Sequence, residues 1–136
     1  MADCLFCRIV AGEIPADKIY EDPTVLAFMD IRPVARGHAL VIPKTHSEDL
    51  LSTDDRVLGD FLPKVKKIAD AVMRAVGAEG VNITTNHGRA AGQVVFHLHF
   101  HIIPRFTADG LRAWPHHDSE PQSRQEIAGA IKKFLA

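Results

Sequence analysis

The order of its predicted elements indicates that the chain adopts an α+β fold with an antiparallel sheet of about five strands. Strand-like segments mostly follow one another directly along the chain, and one long amphipathic helix interrupts them. A closing helix completes the pattern. The 136 residues suffice for a single domain, with a core over residues 3–105 and a C-terminal tail and helix over 106–136.

The first third of the chain predicts a short helix and three strands. The helix spans residues 4–11, and the strands span residues 18–21, 25–30 and 38–43. Gly12 is expected to end the helix. Asp22-Pro23 separates the first two strands as the turn of a hairpin, because proline cannot donate to a strand ladder and favours turns.

A long helix follows these strands. Apolar residues within 57–76 recur at helical spacing and form one broad stripe. Ser52 or Thr53 is the candidate N-cap, and Gly77 suits the C-terminal cap. Pro63 removes a backbone donor from the helix interior, so we expect a kink there or a short helix that leads into a longer one.

Two further strands and a closing helix are predicted in the second half of the chain. The strands span residues 81–86 and 94–103, and the helix spans residues 122–135. The segment 105–121 is polar and contains prolines, so it is expected to connect the last strand to the closing helix.

Composition limits the kind of function. A formal net charge of −1 argues against a nucleic-acid binder, which depends on a strong positive field. No stretch approaches the roughly 20 consecutive apolar residues that cross a bilayer. The start of the chain lacks a basic segment followed by an apolar run, so we expect a cytoplasmic protein that binds neither nucleic acid nor membrane.

Three histidines alternate with apolar residues in the last predicted strand. Alternate side chains of a strand share a face, so His97, His99 and His101 are expected to lie on one side. Neighbouring histidines would then be about 6 to 7 Å apart, close enough to act on one substrate group. A half-exposed strand with a histidine-rich polar side is the alternative, but a chain with eight histidines rarely places three in this pattern by chance.

Two chemistries suit such a strand. A neutral imidazole attacks an electrophilic phosphorus or carbon while a second imidazole carries a proton to the leaving group. Alternatively, the histidines bind a catalytic zinc ion that activates water. The spacing leaves both chemistries open, although His97 and His101 would be about 13 Å apart on a regular strand, which is too far to share one ion.

The cysteine pair Cys4-x-x-Cys7 is a weak metal signal by itself. A zinc site needs four ligands, and no second local pair follows at a finger-like spacing. A reducing compartment disfavours a structural disulfide between the two cysteines. Zinc binding and two unpaired structural thiols are both consistent with this pattern.

Residues 91–105 resemble the signature of the histidine-triad (HIT) hydrolases and transferases, in which three histidines alternate with apolar residues. The resemblance covers residues 3–105 in the right order; its other segments are Cys4–Gly12, Glu13–Pro15, Asp30–Pro33 and Gly37–Lys44. It implies an enzyme that binds a purine nucleotide. Such enzymes release a nucleoside monophosphate from nucleoside phosphoramidates, adenylated nucleotides or dinucleoside polyphosphates.

The resemblance implies a role for each matching residue. His99 attacks the α-phosphorus and becomes a nucleotidyl-histidine, which water or another acceptor cleaves. His101 and His38 contact phosphate or assist proton transfer, and Asp30 binds the ribose hydroxyls. The other implied nucleotide-site residues are Ile31 beside the base, Asn86 and Gln93 on phosphate oxygens, and Gly92, Val94 and Val95. Without the family pattern, Asp30 and Asn86 would suit turns and His38 a surface position.

The same resemblance implies a structural zinc ion and a homodimer. The zinc ligands would be Cys4, Cys7, His46 and His97, a set with the softness and number that tetrahedral zinc favours. The two sheets of the dimer would join, and Trp114 would approach the nucleotide pocket of the partner.

Val94 departs from the family pattern. Many relatives that cleave phosphoramidates have a serine at this position, and dinucleoside polyphosphate hydrolases have a threonine. Valine cannot help to protonate a leaving group, so the preferred leaving group is open. A nucleotide-binding partner protein with vestigial catalysis is the alternative to an enzyme.

Overall fold

A five-stranded antiparallel sheet and three α-helices within residues 3–136 confirm the predicted α+β class. The computed structural model describes residues 3–136. Met1 and Ala2, on which the expectation about the start of the chain partly rests, lie outside the described residues. The elements are α1 (Leu5–Val10), β1 (Lys18–Glu21), β2 (Val25–Met29), β3 (Ala39–Pro43), α2 (Asp55–Val76), β4 (Gly80–Thr84), a short 3-10 helix (Arg89–Ala91), β5 (Phe100–Arg105) and α3 (Pro121–Leu135). The strand order in the sheet is β1-β2-β3-β5-β4.

The two faces of the sheet carry separate apolar cores. In β2, Val25 and Ala27 pack toward α2, whereas Leu26 and Phe28 pack toward Phe6 of α1. The strand β3 alternates in the same way. Because both faces are covered, these strands are continuous apolar runs rather than alternating ones. The sheet therefore presents one face to the long helix and the other to the N-terminal helix.

The long helix begins later than the sequence indicates. Asp54 is the N-cap and its carboxylate accepts the Arg56 N–H at 2.8 Å, so the predicted caps Ser52 and Thr53 are wrong. The Thr53 hydroxyl is already used, because it donates to the Asp49 carbonyl in the preceding turn. Gly77 ends the helix in the left-handed conformation, with φ 68°, as predicted.

Pro63 does not divide this helix, so the expected short helix leading into a longer one is not formed. A proline ring clashes with the carbonyl four residues earlier and leaves it without a partner. That carbonyl belongs to Gly59. The space beside Gly59 is open, because an added Cβ there would meet no atom within 4 Å.

None of the helices within residues 3–136 is both long and apolar enough to cross a membrane.

The histidine-bearing strand is shorter than predicted. β5 pairs with its neighbours only from Phe100 onward, so the predicted strand is wrong over residues 94–99. The Leu98 N–H instead donates to the Ser47 carbonyl at 2.8 Å, and the Thr85 hydroxyl donates to the His99 carbonyl at 2.9 Å. These loop contacts replace ladder hydrogen bonds in the segment that precedes the strand.

Gly37 is expected to be required at its position. Its φ is +92°, and an added Cβ would lie 2.9 Å from Cγ1 of Val76 and 3.1 Å from Cγ of Pro104. We expect Gly37→Ala to lower the free energy of unfolding by about 1–3 kcal/mol in urea denaturation. Gly59→Ala is the matched control and should raise it by up to about 1 kcal/mol, because alanine favours a helix. Equal stability of Gly37→Ala and the wild type would contradict this reading.

Candidate active site and metal centre

The three histidines serve two neighbouring sites. The ring centroids of His99 and His101 lie 5.1 Å apart, and both side chains line one cavity. His97 is fully buried, and its Nδ1 lies 3.4 Å from Sγ of Cys4. The ring of Phe6 contacts the rings of both His97 and His99 edge-on. The histidines thus share a side of the chain as predicted, although only His101 belongs to the strand ladder.

One hydrogen bond fixes the protonation of His99. Its Nδ1 lies 2.7 Å from the carbonyl oxygen of His97. A carbonyl oxygen only accepts, so the proton of the neutral ring sits on Nδ1 and the lone pair on Nε2. The side chain is buried, with 8% of its surface exposed, and this burial lowers its pKa. His99 therefore offers an unprotonated Nε2 at neutral pH.

A chain of two hydrogen bonds fixes His101. The Val34 N–H donates to Nδ1 of His38 at 3.1 Å, so the proton of neutral His38 sits on Nε2. That Nε2 lies 3.0 Å from Nδ1 of His101, which must then accept. The remaining proton of His101 is on its Nε2. Burial, together with the nearby rings of His99 and His38, lowers the pKa of His101 to about 4. His101 is thus a neutral N–H donor.

Asp30, His38 and His101 form a second group whose ligand atoms are close enough for a metal ion. The hydrogen-bond pattern disfavours this use. Nε2 of His38, which lies 3.5 Å from Oδ2 of Asp30, carries a proton because its Nδ1 accepts from the backbone. A metal ligand needs a free lone pair at that nitrogen. His38 and His101 instead form a hydrogen-bond relay that ends at the cavity, and Asp30 lies beside it.

A cavity of about 530 Å³ opens beside these histidines. Most of the sequence-predicted nucleotide-site residues line it, namely Asp30, Ile31, Gly92, Val94, Val95, His99 and His101. Ile31 and Val94 are 88% and 83% exposed and belong to the open part of the cavity lining. Oδ1 of Asp30 accepts the Arg32 N–H at 2.8 Å, which orients the carboxylate. The structure therefore brings these seven residues to one place.

The apolar wall of this cavity was not predicted from the sequence. It is contributed by α1 and the connection that follows it, together with two strand residues: Leu5, Phe6, Ile9, Ile14, Pro15, Ala16, Phe28 and Leu40. The signal that could have located α1 here is Phe6, which lies between the two cysteines of the predicted metal site. Its ring lies 5.1 Å from that of His99. The N-terminal helix thus forms part of the site rather than only a cover for the sheet.

Gln93 and Asn86, the two residues predicted to contact phosphate oxygens, are not among the residues that line the cavity. Gln93 is buried, and its amide oxygen accepts the Gly88 N–H at 2.9 Å. Its amide nitrogen donates to the carbonyls of Glu48 at 2.7 Å and Val95 at 3.1 Å. Gln93 thereby holds the loop that precedes the histidines. Its implied phosphate contact, like that of Asn86, stays a prediction.

The four predicted metal ligands are assembled in one cluster. The ligand atoms of Cys4, Cys7, His46 and His97 all lie within 4.8 Å of one another. Nε2 of His97 lies 2.8 Å from the Pro43 carbonyl, so the proton of the neutral ring is on Nε2 and the lone pair is on Nδ1. That Nδ1 lies 3.2 Å from Nδ1 of His46.

The separations within this cluster fit tetrahedral zinc. Bonds of about 2.0–2.1 Å to nitrogen and 2.3 Å to sulfur place neighbouring ligand atoms about 3.3–3.8 Å apart. The observed distances are 3.3 Å from Sγ of Cys7 to Nδ1 of His46, and 3.4 and 3.6 Å from Nδ1 of His97 to the two sulfurs. Burial and the adjacent Cys4 raise the pKa of Cys7 to about 11. A bound cation would supply the attraction that deprotonates this thiol.

The buried neutral ring of His101 makes stability depend on pH in a defined direction. Its pKa is about 4 in the folded chain and about 6.5 when unfolded, so the unfolded state binds more protons between these values. The contribution of this ring to the free energy of unfolding is therefore fully present above pH 6.5 and is lost as the pH falls toward 4. We expect this loss of stability to be smaller by about 1–3 kcal/mol in His101→Gln than in the wild type.

Urea denaturation at a series of pH values measures this difference. His117→Gln is the matched control, because His117 lies in the exposed tail, and it should follow the wild type. An unchanged pH dependence in His101→Gln would contradict the buried neutral state of His101.

Comparisons with known proteins agree with this arrangement. The HIT domain family model matches residues 11–108. Protein hit of Bacillus subtilis is 46% identical over 98% of this chain and 95% of its own length. Adenosine 5'-monophosphoramidase hnt1 of Schizosaccharomyces pombe is 43% identical over 95% of this chain and 98% of its own length.

Solved structures show the same fold. SMU.412c from Streptococcus mutans UA159 has a TM-score of 0.94 and 42% identity, over 100% of this chain and 87% of that one. A Zn-bound histidine triad family protein from Mycobacterium smegmatis has a TM-score of 0.77 and 40% identity, over 98% and 96%. The triad, the fold and these relatives together lead to one conclusion: the chain belongs to the HIT family.

Proposed function

We propose that this protein cleaves nucleoside 5'-phosphoramidates or related adenylated nucleotides at the α-phosphorus, with Nε2 of His99 as the nucleophile. The observation that carries the proposal is the fixed tautomer of His99, which leaves a lone pair on Nε2 in a ring that lines the cavity. The relative from Schizosaccharomyces pombe is named an adenosine 5'-monophosphoramidase, which supports this substrate class.

The reaction proceeds in two displacements at phosphorus. Nε2 of His99 forms a bond to the α-phosphorus, and the bond from phosphorus to the leaving group breaks. The N–H of His101 donates to phosphate oxygens or to the leaving group. Water then attacks the nucleotidyl-histidine, which releases the nucleoside monophosphate and restores His99. Transfer to another acceptor would follow the same second step.

The nucleoside would occupy the apolar part of the cavity. Oδ2 of Asp30 is the proposed acceptor for the ribose hydroxyls, since Oδ1 already accepts the Arg32 N–H and the Nε2 proton of His38 is donated to His101. Ile31 and the apolar wall from α1 would contact the base. A purine suits this wall, because its flat rings bury apolar surface against aliphatic and aromatic side chains.

Val94 restricts the chemistry of the leaving group. It lies at the mouth of the cavity, and none of the lining residues within 3–136 carries a hydroxyl group. Protonation of a leaving amine therefore depends on His101 or on water. This feature favours, as a second candidate, a nucleotide-binding protein in which turnover is vestigial.

We also propose a structural zinc ion held by Cys4, Cys7, His46 and His97. The donor set and the separations support this proposal. The ion would add ligand bonds between the start of α1, the end of β3 and the segment that carries His99. A catalytic metal shared by the three triad histidines is disfavoured, because Nδ1 of His97 lies among the cysteines rather than at the cavity.

A cytoplasmic homodimer is the proposed state of the enzyme. Cys4 and Cys7 are free cysteines, which a reducing compartment would preserve. β4 hydrogen-bonds only to β5 among the described residues, so its outer edge is open to pair with a second copy. Two-fold dimers are the commonest oligomers on general grounds. Trp114, which is 83% exposed, would contact the partner in such a dimer.

Removal of the nucleophile tests the proposed reaction. We expect His99→Ala to lower the kcat for an adenosine phosphoramidate roughly a thousandfold or more, as loss of other covalent nucleophiles does. Mass spectrometry of rapidly quenched wild type should show a covalent nucleotidyl adduct on His99. His117→Ala, in the exposed tail, is the control and should retain activity. Undiminished turnover in His99→Ala would refute the nucleophile, whereas tight binding without turnover in the wild type would favour the vestigial alternative.

Loss of one ligand tests the zinc proposal. We expect one zinc ion per wild-type chain by elemental analysis. We expect less than about a tenth of that in Cys7→Ser, because the three remaining ligands would bind zinc weakly. Chelation should lower the Tm of the wild type and leave that of Cys7→Ser unchanged. His87→Gln keeps the cluster intact and serves as the control. Full zinc content in Cys7→Ser, or a wild type free of zinc after growth with the metal, would contradict the site.

A further inference from the structure

The C-terminal helix α3 buries none of its residues against the part of its own chain that the structure describes. All residues from 112 to 136 are exposed, and α3 contains no buried residue. Ile127, Ile131 and Phe134 are 60%, 53% and 91% exposed. An isolated helix of this length is only marginally stable in water, so its apolar residues need a surface to cover them.

These apolar residues form one face of the helix. Positions 127, 131 and 134 follow the spacing of three and four residues that places side chains above one another. Gly129 lies on the opposite side of the helix, and an added Cβ there would meet no atom within 4 Å. α3 is thus amphipathic, and the described part of its own domain leaves its apolar face uncovered.

The position of α3 is shared with a solved relative. Residues 112–136 make up nearly a fifth of the chain, yet SMU.412c matches the full length with a TM-score of 0.94. A helix placed elsewhere in that structure would lower the score. The same position in both proteins indicates that something outside the domain determines where the helix lies.

The domain offers one apolar groove of suitable chemistry. A cavity of about 270 Å³ lies between α2 and β1, and its walls include Ile19, Ala71, Val72 and Ala75. Ala71 and Ala75 are exposed and follow each other by one helical turn. Small side chains at this spacing allow a second helix to approach closely. Lys67 lies over the ring of Tyr20 at 5.3 Å and bounds the groove on its polar side.

We propose that the apolar face of α3 docks into the α2–β1 groove of a second copy of this chain. The occupant is a second copy because α3 lies away from its own domain, while the groove and the helix are both present on every chain. Two-fold symmetry then fills both grooves at once, so each chain gives a helix and receives one. This reciprocal burial adds to the area that a stable dimer needs. The proposal rests on the dimer proposed above and is independent of the reaction.

Disulfide crosslinking between two differently tagged chains tests the contact. One chain carries Ala71→Cys or Ala75→Cys, and the other carries Ile127→Cys, Ile131→Cys or Phe134→Cys. We expect at least one of these pairs to crosslink the two tags tenfold more than the same groove variant with Gly129→Cys, the matched control. The parent protein, which keeps Cys4 and Cys7, gives the baseline.

The outcomes separate the contact from the dimer. Crosslinking no greater than the Gly129→Cys control, in a protein that sedimentation shows to be dimeric, overturns the docking and leaves the dimer. A monomeric wild type overturns both proposals. A disulfide formed within one chain that carries both cysteines, at a concentration where it is monomeric, shows that α3 docks on its own domain.

Sedimentation of charged variants provides a second measurement. We expect Ile131→Glu to raise the Kd of the dimer at least tenfold, because a carboxylate cannot enter the apolar groove. Gly129→Glu places the same charge on the opposite face and should change the Kd less than twofold. Circular dichroism confirms that both variants keep the folded domain. Equal Kd values for the two variants overturn the proposal.

Discussion

The arrangement of the site depends on one buried residue, His97, through its two ring nitrogens and its carbonyl oxygen. Its Nε2–H donates to the Pro43 carbonyl at the end of β3, which leaves Nδ1 for the cysteine cluster. Its backbone carbonyl accepts from Nδ1 of His99 and so fixes the tautomer of that ring. The sheet, the N-terminal helix and the imidazole of His99, the proposed nucleophile, are therefore held by one residue. The buried ring of His97 has little freedom to shift because both of its nitrogens are used. It therefore holds His99 in the fixed position that a preorganised nucleophile requires.

The sequence predicts those parts of the fold whose patterns are local. Apolar runs in β2 and β3 indicate strands that are buried on both faces, and the apolar stripe of α2 with Gly77 at its end indicates a long helix. The errors arise where distant groups compete for the same backbone. Residues 94–99 alternate as a strand does, yet the Ser47 carbonyl takes the Leu98 N–H. The cap of α2 moves to Asp54 because the Thr53 hydroxyl bonds to Asp49.

The candidate site shows the same division. Residue types and order predict which side chains gather, and the cysteine–histidine cluster and most of the cavity residues do gather. Protonation states cannot be predicted in this way, because they depend on single contacts made by folding. The tautomer of His101 follows from the Val34 N–H through His38. Similarly, Gln93 carries an amide typical of phosphate binding, and only the fold shows that the loop already uses it.

The lowered pKa values of the cavity histidines also bear on how the proposed reaction would end. His99 and His101 are both uncharged near neutrality, and Arg32 is the one permanent cation among the residues within 3–136 that line the cavity. A released nucleoside monophosphate carries two negative charges, which Asp30 repels and which the two neutral rings do not attract. Tight retention of product needs paired charges in a desolvated site. In the proposed reaction, the same neutrality that keeps Nε2 of His99 unprotonated would favour release of the product.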